Sequence, residues 1–161
     1  MNKKGLIIIN DIKYNFIFCD YKALLKINPE LLQSIIKNIQ TSRNERNFNI
    51  ERLLKEEEKY KFAKVLYFFI YLDNSMISCI RLIYTNEKNH GYLNMILVNE
   101  NYRGKKICQN SIKYLIKLTN YIKLYELEVR PKNIAAIKCY EKIGFTLIST
   151  LNKYHLYSFT K

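Results

Sequence analysis

Leu97-Val98-Asn99-Glu100-Asn101-Tyr102-Arg103-Gly104-Lys105-Lys106-Ile107-Cys108 is the stretch on which the fold turns. The run from Tyr92 to Asn99 reads as a strand. Lys105 to Tyr121 carries Ile107, Ile112, Leu115, Ile116 and Thr119 on one helical stripe. A strand therefore feeds a helix through a short basic loop. The first turn of a helix leaves about four backbone N–H groups unpaired and carries the positive end of the helix dipole, so such a junction is a ready seat for phosphate. Arg103, Lys105 and Lys106 add side-chain charge at the same place. A plain solvated turn is the other reading of those charges.

Outward from that junction the chain alternates periodic segments with Asn- and Lys-rich breaks. Downstream, Leu124 to Arg130 reads as a strand and Asn133 to Ile143 as a helix stopped by Gly144. Phe145 to Leu151 and Tyr154 to Phe159 read as closing strands. Upstream, Gly5 to Ile9 and Ile12 to Cys19 flank the turn-forming pair Asn10-Asp11 and predict a hairpin. Leu31, Leu32, Ile35, Ile36 and Ile39 recur at helical spacing behind Pro29, with Asn28 as the N-cap. Asn49 to Tyr60 is a second helix, apolar at Ile50, Leu53 and Leu54, with Glu56-Glu57-Glu58 expected on its solvent face. Phe62 to Leu72 and Met76 to Tyr84 form a second hairpin around Asp73-Asn74-Ser75. The order predicts a mixed α/β fold, one domain over residues 1–161 without a linker.

Composition narrows the classes. Hydrophobic residues make 48% and charged residues 25%, as in ordinary globular proteins. Leu6 to Ile9 is too short for a signal-peptide core of about 7–15 residues, and no run approaches the ~18 needed to span a bilayer, so a cytoplasmic protein with no membrane partner is expected. The cysteines Cys19, Cys79, Cys108 and Cys139 form no C-x-x-C pair and have two histidines for company; neither a disulfide framework nor a metal site is expected. Cys19 and Cys79 read as core residues. The net charge of +13 draws anions in general, but it is spread along the chain as single lysines with no RNA-binding signature, so a nucleic-acid partner is not expected.

The segments Leu127-Glu128-Val129-Arg130-Pro131-Lys132-Asn133, Ala135-Ala136-Ile137 and Tyr140-Glu141-Lys142-Ile143-Gly144-Phe145, taken with the basic loop, resemble the GNAT superfamily of N-acetyltransferases. The resemblance covers roughly residues 92–159. The family's coenzyme motif, (Q/R)-x-x-G-x-(G/A) after a strand ending in Val, is occupied by Arg103 to Cys108. Its following motif is matched by Asn133, Ala136, Tyr140, Gly144 and Phe145. Lys106 and Cys108 depart from it, standing where the family usually has glycine and glycine or alanine. Glycine there admits a positive φ and close approach of the backbone to the pyrophosphate.

What the resemblance implies is a mostly antiparallel central sheet of roughly six to seven strands with about four helices, and acetyl-CoA as cofactor. It assigns coenzyme contacts to Arg103, Gly104, Lys105, Lys106, Ile107, Cys108, Asn133, Ala136 and Tyr140. A backbone N–H at Ile96, Leu97 or Val98 would polarise the thioester carbonyl. Tyr140 would protonate the leaving thiolate; its other reading is a core tyrosine. Glu128 would serve as general base; its other reading is a solvated position on the alternating row Glu126, Glu128, Arg130. Cys139 has no histidine near it in sequence and is not expected to carry an acyl group.

The acceptor is an amine. Leu127-Glu128-Val129-Arg130-x-x-Asn133 resembles the protein Nα-acetyltransferases, including enzymes that act on ribosomal-protein N-termini. Tyr154-His155 stand where that branch often carries two tyrosines lining the peptide groove, so both are substrate-binding candidates. The branch's proline-containing substrate loop is not visible between residues 40 and 50. A small-molecule amine (amino sugar, polyamine or aminoglycoside) is the alternative, with polyamines disfavoured by a surface of their own sign. A catalytically weak GNAT-like binding module is a further one. Monomer and homodimer are both compatible with the sequence.

Overall fold

Asn10 and Asp11 both adopt positive φ, 50° and 64°, a conformation that Asn and Asp tolerate better than other side chains. They turn β1 (Lys3–Ile9) onto β2 (Ile12–Asp20) as an antiparallel hairpin. The structure, a computed structural model, describes residues 2–20, 22–23, 26, 29–42, 46–60, 62–73, 75–85, 89–151 and 153–161. After β2 come α1 (Pro29–Ser42) and α2 (Ile50–Glu58). Then follow β3 (Lys64–Leu72), β4 (Ser75–Thr85) and β5 (His90–Val98). A single 3-10 turn, Glu100–Tyr102, leads to α3 (Ile107–Leu118) and β6 (Leu124–Val129). The chain closes with α4 (Ile134–Ile143), β7 (Thr146–Leu151) and β8 (Tyr154–Thr160).

Among the described residues eight strands join one sheet in the order β1-β2-β3-β4-β5-β6-β8-β7. The β5·β6 pair is parallel and every other pair is antiparallel. The strands are those read from the sequence, one or two more than the six to seven that the family resemblance implies. Its two faces carry separate cores. Ile107, Ile112, Leu115, Cys139 and Tyr140 bring α3 and α4 onto one face, over Phe68, Ile80, Leu93 and Leu127. Leu32, Ile35, Ile39 and Leu53 bring α1 and α2 onto the other, over Tyr67, Phe69, Cys79 and Leu97. Cys19 and Cys79 are free and buried, as read.

Helix ends follow their capping chemistry. The Asn49 side chain accepts from Arg52 N at 2.9 Å and starts α2. Gly144, with φ 111°, ends α4 in the left-handed conformation that glycine reaches at no steric cost. The proposed N-cap Asn28 and the turn residue Asn74 lie outside the described residues. Two expectations need correction. Phe62 is 99% exposed and precedes β3 instead of opening it. Glu57 is not on a solvent face: one turn after Leu53, it is carried onto the sheet and is 6% exposed, where Arg81 meets it at 2.9 Å. Among the described residues no helix is long and apolar enough to cross a membrane.

Candidate active site

β5 and β6 run side by side only from His90↔Leu124 to Leu93↔Leu127. Beyond Leu93, β5 keeps its ladder with β4 as far as Val98 but no longer pairs with β6. The cause is a bulge. Register slips between Cys79 and Arg81, and Met95 takes a φ of 48°. The extra residue reverses the faces. Leu93 packs with α3 and α4, Met95 and Leu97 pack with α1 and α2, and Ile96 and Val98 return to the α3/α4 side. The three residues expected to polarise a thioester, Ile96, Leu97 and Val98, therefore all lie in the length of β5 that has parted from β6.

The split opens onto the basic loop. Asn99 anchors the start of that loop, its side chain accepting from Asn101 N at 3.1 Å and donating to Met76 O at 3.2 Å. Gly104 has φ 76°, and a Cβ on it would meet nothing within 4 Å, so open space faces the loop there. Lys106 stands at the N-cap of α3 with φ 58° and makes no side-chain capping bond. A non-glycine residue pays about 1–2 kcal/mol for this conformation. Both left-handed residues delay the helix to Ile107, two positions past the start read from periodicity. The Arg103 Nε donates to Val98 O at 3.4 Å, and the Lys105 ammonium lies 5.2 Å from the centre of the Tyr102 ring. An uncapped helix start, an open glycine and a strand edge free of its neighbour together fit a pyrophosphate with an extended chain running from it.

The loop also leans on the N-terminal hairpin: Asn10 Nδ2 donates to Lys105 O at 2.9 Å. Asn10→Gly keeps the positive φ and deletes this bond. One hydrogen bond contributes about 0.5–1.5 kcal/mol, so acetyl-CoA affinity should fall about two- to tenfold by calorimetry, with the hairpin intact by circular dichroism.

On α4, the Asn133 side chain caps the helix by accepting from Ala136 N at 3.3 Å. Tyr140 is 5% exposed, its ring 6.2 Å from that of Phe145. Burial pushes its phenol pKa well up, so the hydroxyl keeps its proton. The residue before it holds the main departure from expectation: Cys139 is bonded to Cys108 in a disulfide, with Cα atoms 6.6 Å apart. The absence of a C-x-x-C pair says nothing about two cysteines that are 31 residues apart and carried by adjacent helices. Cys108 thus ties the first turn of α3 to the helix that bears Tyr140.

Glu128 lies exposed on β6, opposite Leu156 of β8. Facing it is a residue that the sequence reading missed. The Tyr92 phenol on β5 is pushed up by burial first, and then by the nearby Glu128 carboxylate. Tyr92 packs with the α1/α2 core, so Glu128 and Tyr92 share that face, whereas Tyr140 stands on the α3/α4 face. Acid and base candidates thus flank the split from opposite sides. Strand alternation separates the other pair. Tyr154 falls on the Glu128 face and is 37% exposed, whereas His155 sits opposite Val129 on the other face. The structure does not bring Tyr154 and His155 onto one surface.

Known proteins share this fold. Residues 34–145 match the acetyltransferase (GNAT) family. N-alpha-acetyltransferase 30 of Dictyostelium discoideum is 34% identical over 97 residues, 56% of this chain and 51% of that protein. The chain thus spans about half the length of this curated relative. The GNAT domain of S. lividans PAT superposes with a TM-score of 0.75 at 13% identity, covering 98% of this chain and 97% of its own. RimL, a ribosomal L7/L12 α-N-protein acetyltransferase solved with coenzyme A, superposes with a TM-score of 0.66 at 14% identity, covering 97% and 98%. With a matched region spanning β3 to β6 and both helices around the split, the chain belongs to the acetyltransferase (GNAT) family.

Proposed function

We propose that the protein moves an acetyl group from acetyl-CoA to a primary amine by direct attack, and that this amine is a protein N-terminal α-amine. The observation that carries the reading is the split between β5 and β6, which ends on the uncapped start of α3 and is flanked by Glu128 with Tyr92 on one face and Tyr140 on the other. Acetyl-CoA supplies the activated acyl group as a thioester. Arg103, Lys106 and the first N–H groups of α3 hold its pyrophosphate, with Gly104, Lys105, Ile107, Cys108, Asn133 and Ala136 completing the seat. The backbone of Ile96 to Val98 orients and polarises the carbonyl. Glu128, with the Tyr92 hydroxyl beside it, takes the proton that the ammonium must lose. Tyr140, kept protonated by burial, returns a proton to the thiolate on the far face.

Similarity to an N-alpha-acetyltransferase over 97 residues supports the α-amine over a small-molecule acceptor, and Tyr154, which falls on the Glu128 face, would contact the incoming peptide. The protein acts in the cytoplasm as a monomer or homodimer, without a nucleic-acid partner.

Calorimetry with acetyl-CoA tests the seat. Arg103→Glu should weaken binding about tenfold or more at low salt, the worth of a hydrogen bond to a charged group, and less at high salt. An unchanged affinity overturns the placement. Thiol release on a peptide library, set against a panel of amino sugars, polyamines and aminoglycosides, tests the acceptor. Turnover confined to the small amines overturns the α-amine assignment.

A further inference from the structure

The bulge that opens β5 is gripped from the side away from α3 and α4 by a buried charged cluster. Arg81 on β4 is 4% exposed, and its Nε donates to Asn94 Oδ1 at 2.7 Å. Its Nη1 donates to Glu57 Oε1 at 2.9 Å and lies 3.6 Å from Glu56 Oε2. The buried Tyr67 hydroxyl donates to the same Glu57 oxygen. Glu57 Oε2 is buried without a hydrogen-bond partner, so the cluster is not arranged for full satisfaction of its own groups.

A buried ion pair is a poor source of stability, because desolvation of both charges offsets most of their attraction; where it is retained, fixing a register is its best-attested use. Here the register at issue is visible. Arg81 and Asn94 are cross-strand partners, and the ladder slips on the next step, between Cys79 and Arg81, where Met95 takes its positive φ. The side-chain bond thus joins the two residues that border the slip. A β-branched or apolar residue at either position would leave the strand free to relax toward regular pairing, which returns Met95, Leu97 and the amides around them to the opposite faces.

We propose that Arg81 and Asn94, with Glu57 behind them, are positioning residues for acetyl transfer: they lock the β5 bulge so that the backbone N–H groups of Ile96 to Val98 point at the acetyl carbonyl. This rests on the acetyl-transfer reading and adds to it a control over the amide donors that lies outside the seat of the coenzyme. None of the three side chains needs to touch the reacting atoms. Their effect on binding is read at the acetyl carbonyl, which acetyl-CoA carries and coenzyme A lacks.

The test compares wild type with Asn94→Ala, Asn94→Asp and the double variant Arg81→Met/Glu57→Gln, which removes both charges together while leaving Tyr67 an acceptor. Asn94 is half-buried at a strand surface, so its variants keep the proposal open to refutation should the double variant fail to fold. Three quantities are read: the infrared stretch of the bound thioester, using acetyl-CoA labelled at the acetyl carbonyl carbon; the dissociation constants of acetyl-CoA and coenzyme A; and kcat. In wild type the bound carbonyl should absorb below the free thioester. Asn94→Ala should lose at least half of that displacement and about tenfold or more in kcat, a part of the about 10²–10³ lost when an oxyanion donor is deleted. Its coenzyme A affinity should stay within about twofold. Asn94→Asp, which still accepts from Arg81, should restore both. An undiminished carbonyl displacement in Asn94→Ala overturns the proposal, as does an equal loss of coenzyme A affinity, which marks a merely structural role. A wild-type protein that binds no acetyl-CoA overturns the acetyl-transfer reading itself and this proposal with it.

Discussion

Tyr140→Phe should lower kcat by about 10²–10⁴-fold, the usual contribution of a general acid, while the dissociation constant of acetyl-CoA changes little. The substitution keeps the ring that packs 6.2 Å from Phe145 and deletes the proton. Its thermal midpoint should therefore stay close to wild type. The pH profile sharpens the assignment. Burial raises the phenol above its ordinary 10.0, so the acid form persists to higher pH than a free tyrosine, and no alkaline loss of kcat below about pH 10 should trace to this group. Were Tyr140 only a core residue, Phe would turn over within about threefold of wild type, less than half a decade's worth of barrier, and any loss would follow stability. Thiol release at saturating acetyl-CoA decides between the two patterns.

The fold was legible because its elements announce themselves locally. Apolar alternation marked the strands, 3.6-residue periodicity marked the helices, and Asn10-Asp11, Asn49 and Gly144 marked ends that the structure confirms. The candidate site was legible only where one chain segment carries it, as in Arg103 to Cys108 or Asn133 to Tyr140. Tyr92 escaped because it acquires meaning from Glu128 across a parallel pair, and parallel register is not written in either strand. The bulge at Met95 escaped for a related reason: Tyr92 to Asn99 reads as an ordinary run, and the slip is bordered by Arg81, whose partner Glu57 looked like one of three solvated glutamates. Asn10 reads as a turn residue, and only the folded chain shows it holding the carbonyl of Lys105.

The cysteine pair gives the other large effect. Cys108 and Cys139 are separated by 31 residues, and closing a loop of that length removes denatured-state entropy worth about 3–4 kcal/mol in the chain-entropy account. The oxidised protein should therefore unfold at a higher midpoint than the same protein in dithiothreitol, by roughly 10 °C for a chain of this size. The segment inside the loop comprises most of α3, all of β6 and the first half of α4, so the gain is shared by both helices that flank the split. Reduction leaves two small apolar thiols where the bond was, and Cys139 is 7% exposed, so the reduced core stays packed and the loss is chiefly in the unfolded ensemble. Cys139→Ala, which cannot form the bond, should unfold near the reduced wild type and show no response to dithiothreitol. Denaturant titration of the three samples, with thiols counted in each, reads the difference directly. Equal midpoints for an oxidised sample with two free thiols and a reduced sample with four would show that the cross-link constrains nothing, and that α3 and α4 are already fixed by the packing of Ile107, Ile112, Leu115 and Tyr140 against the sheet.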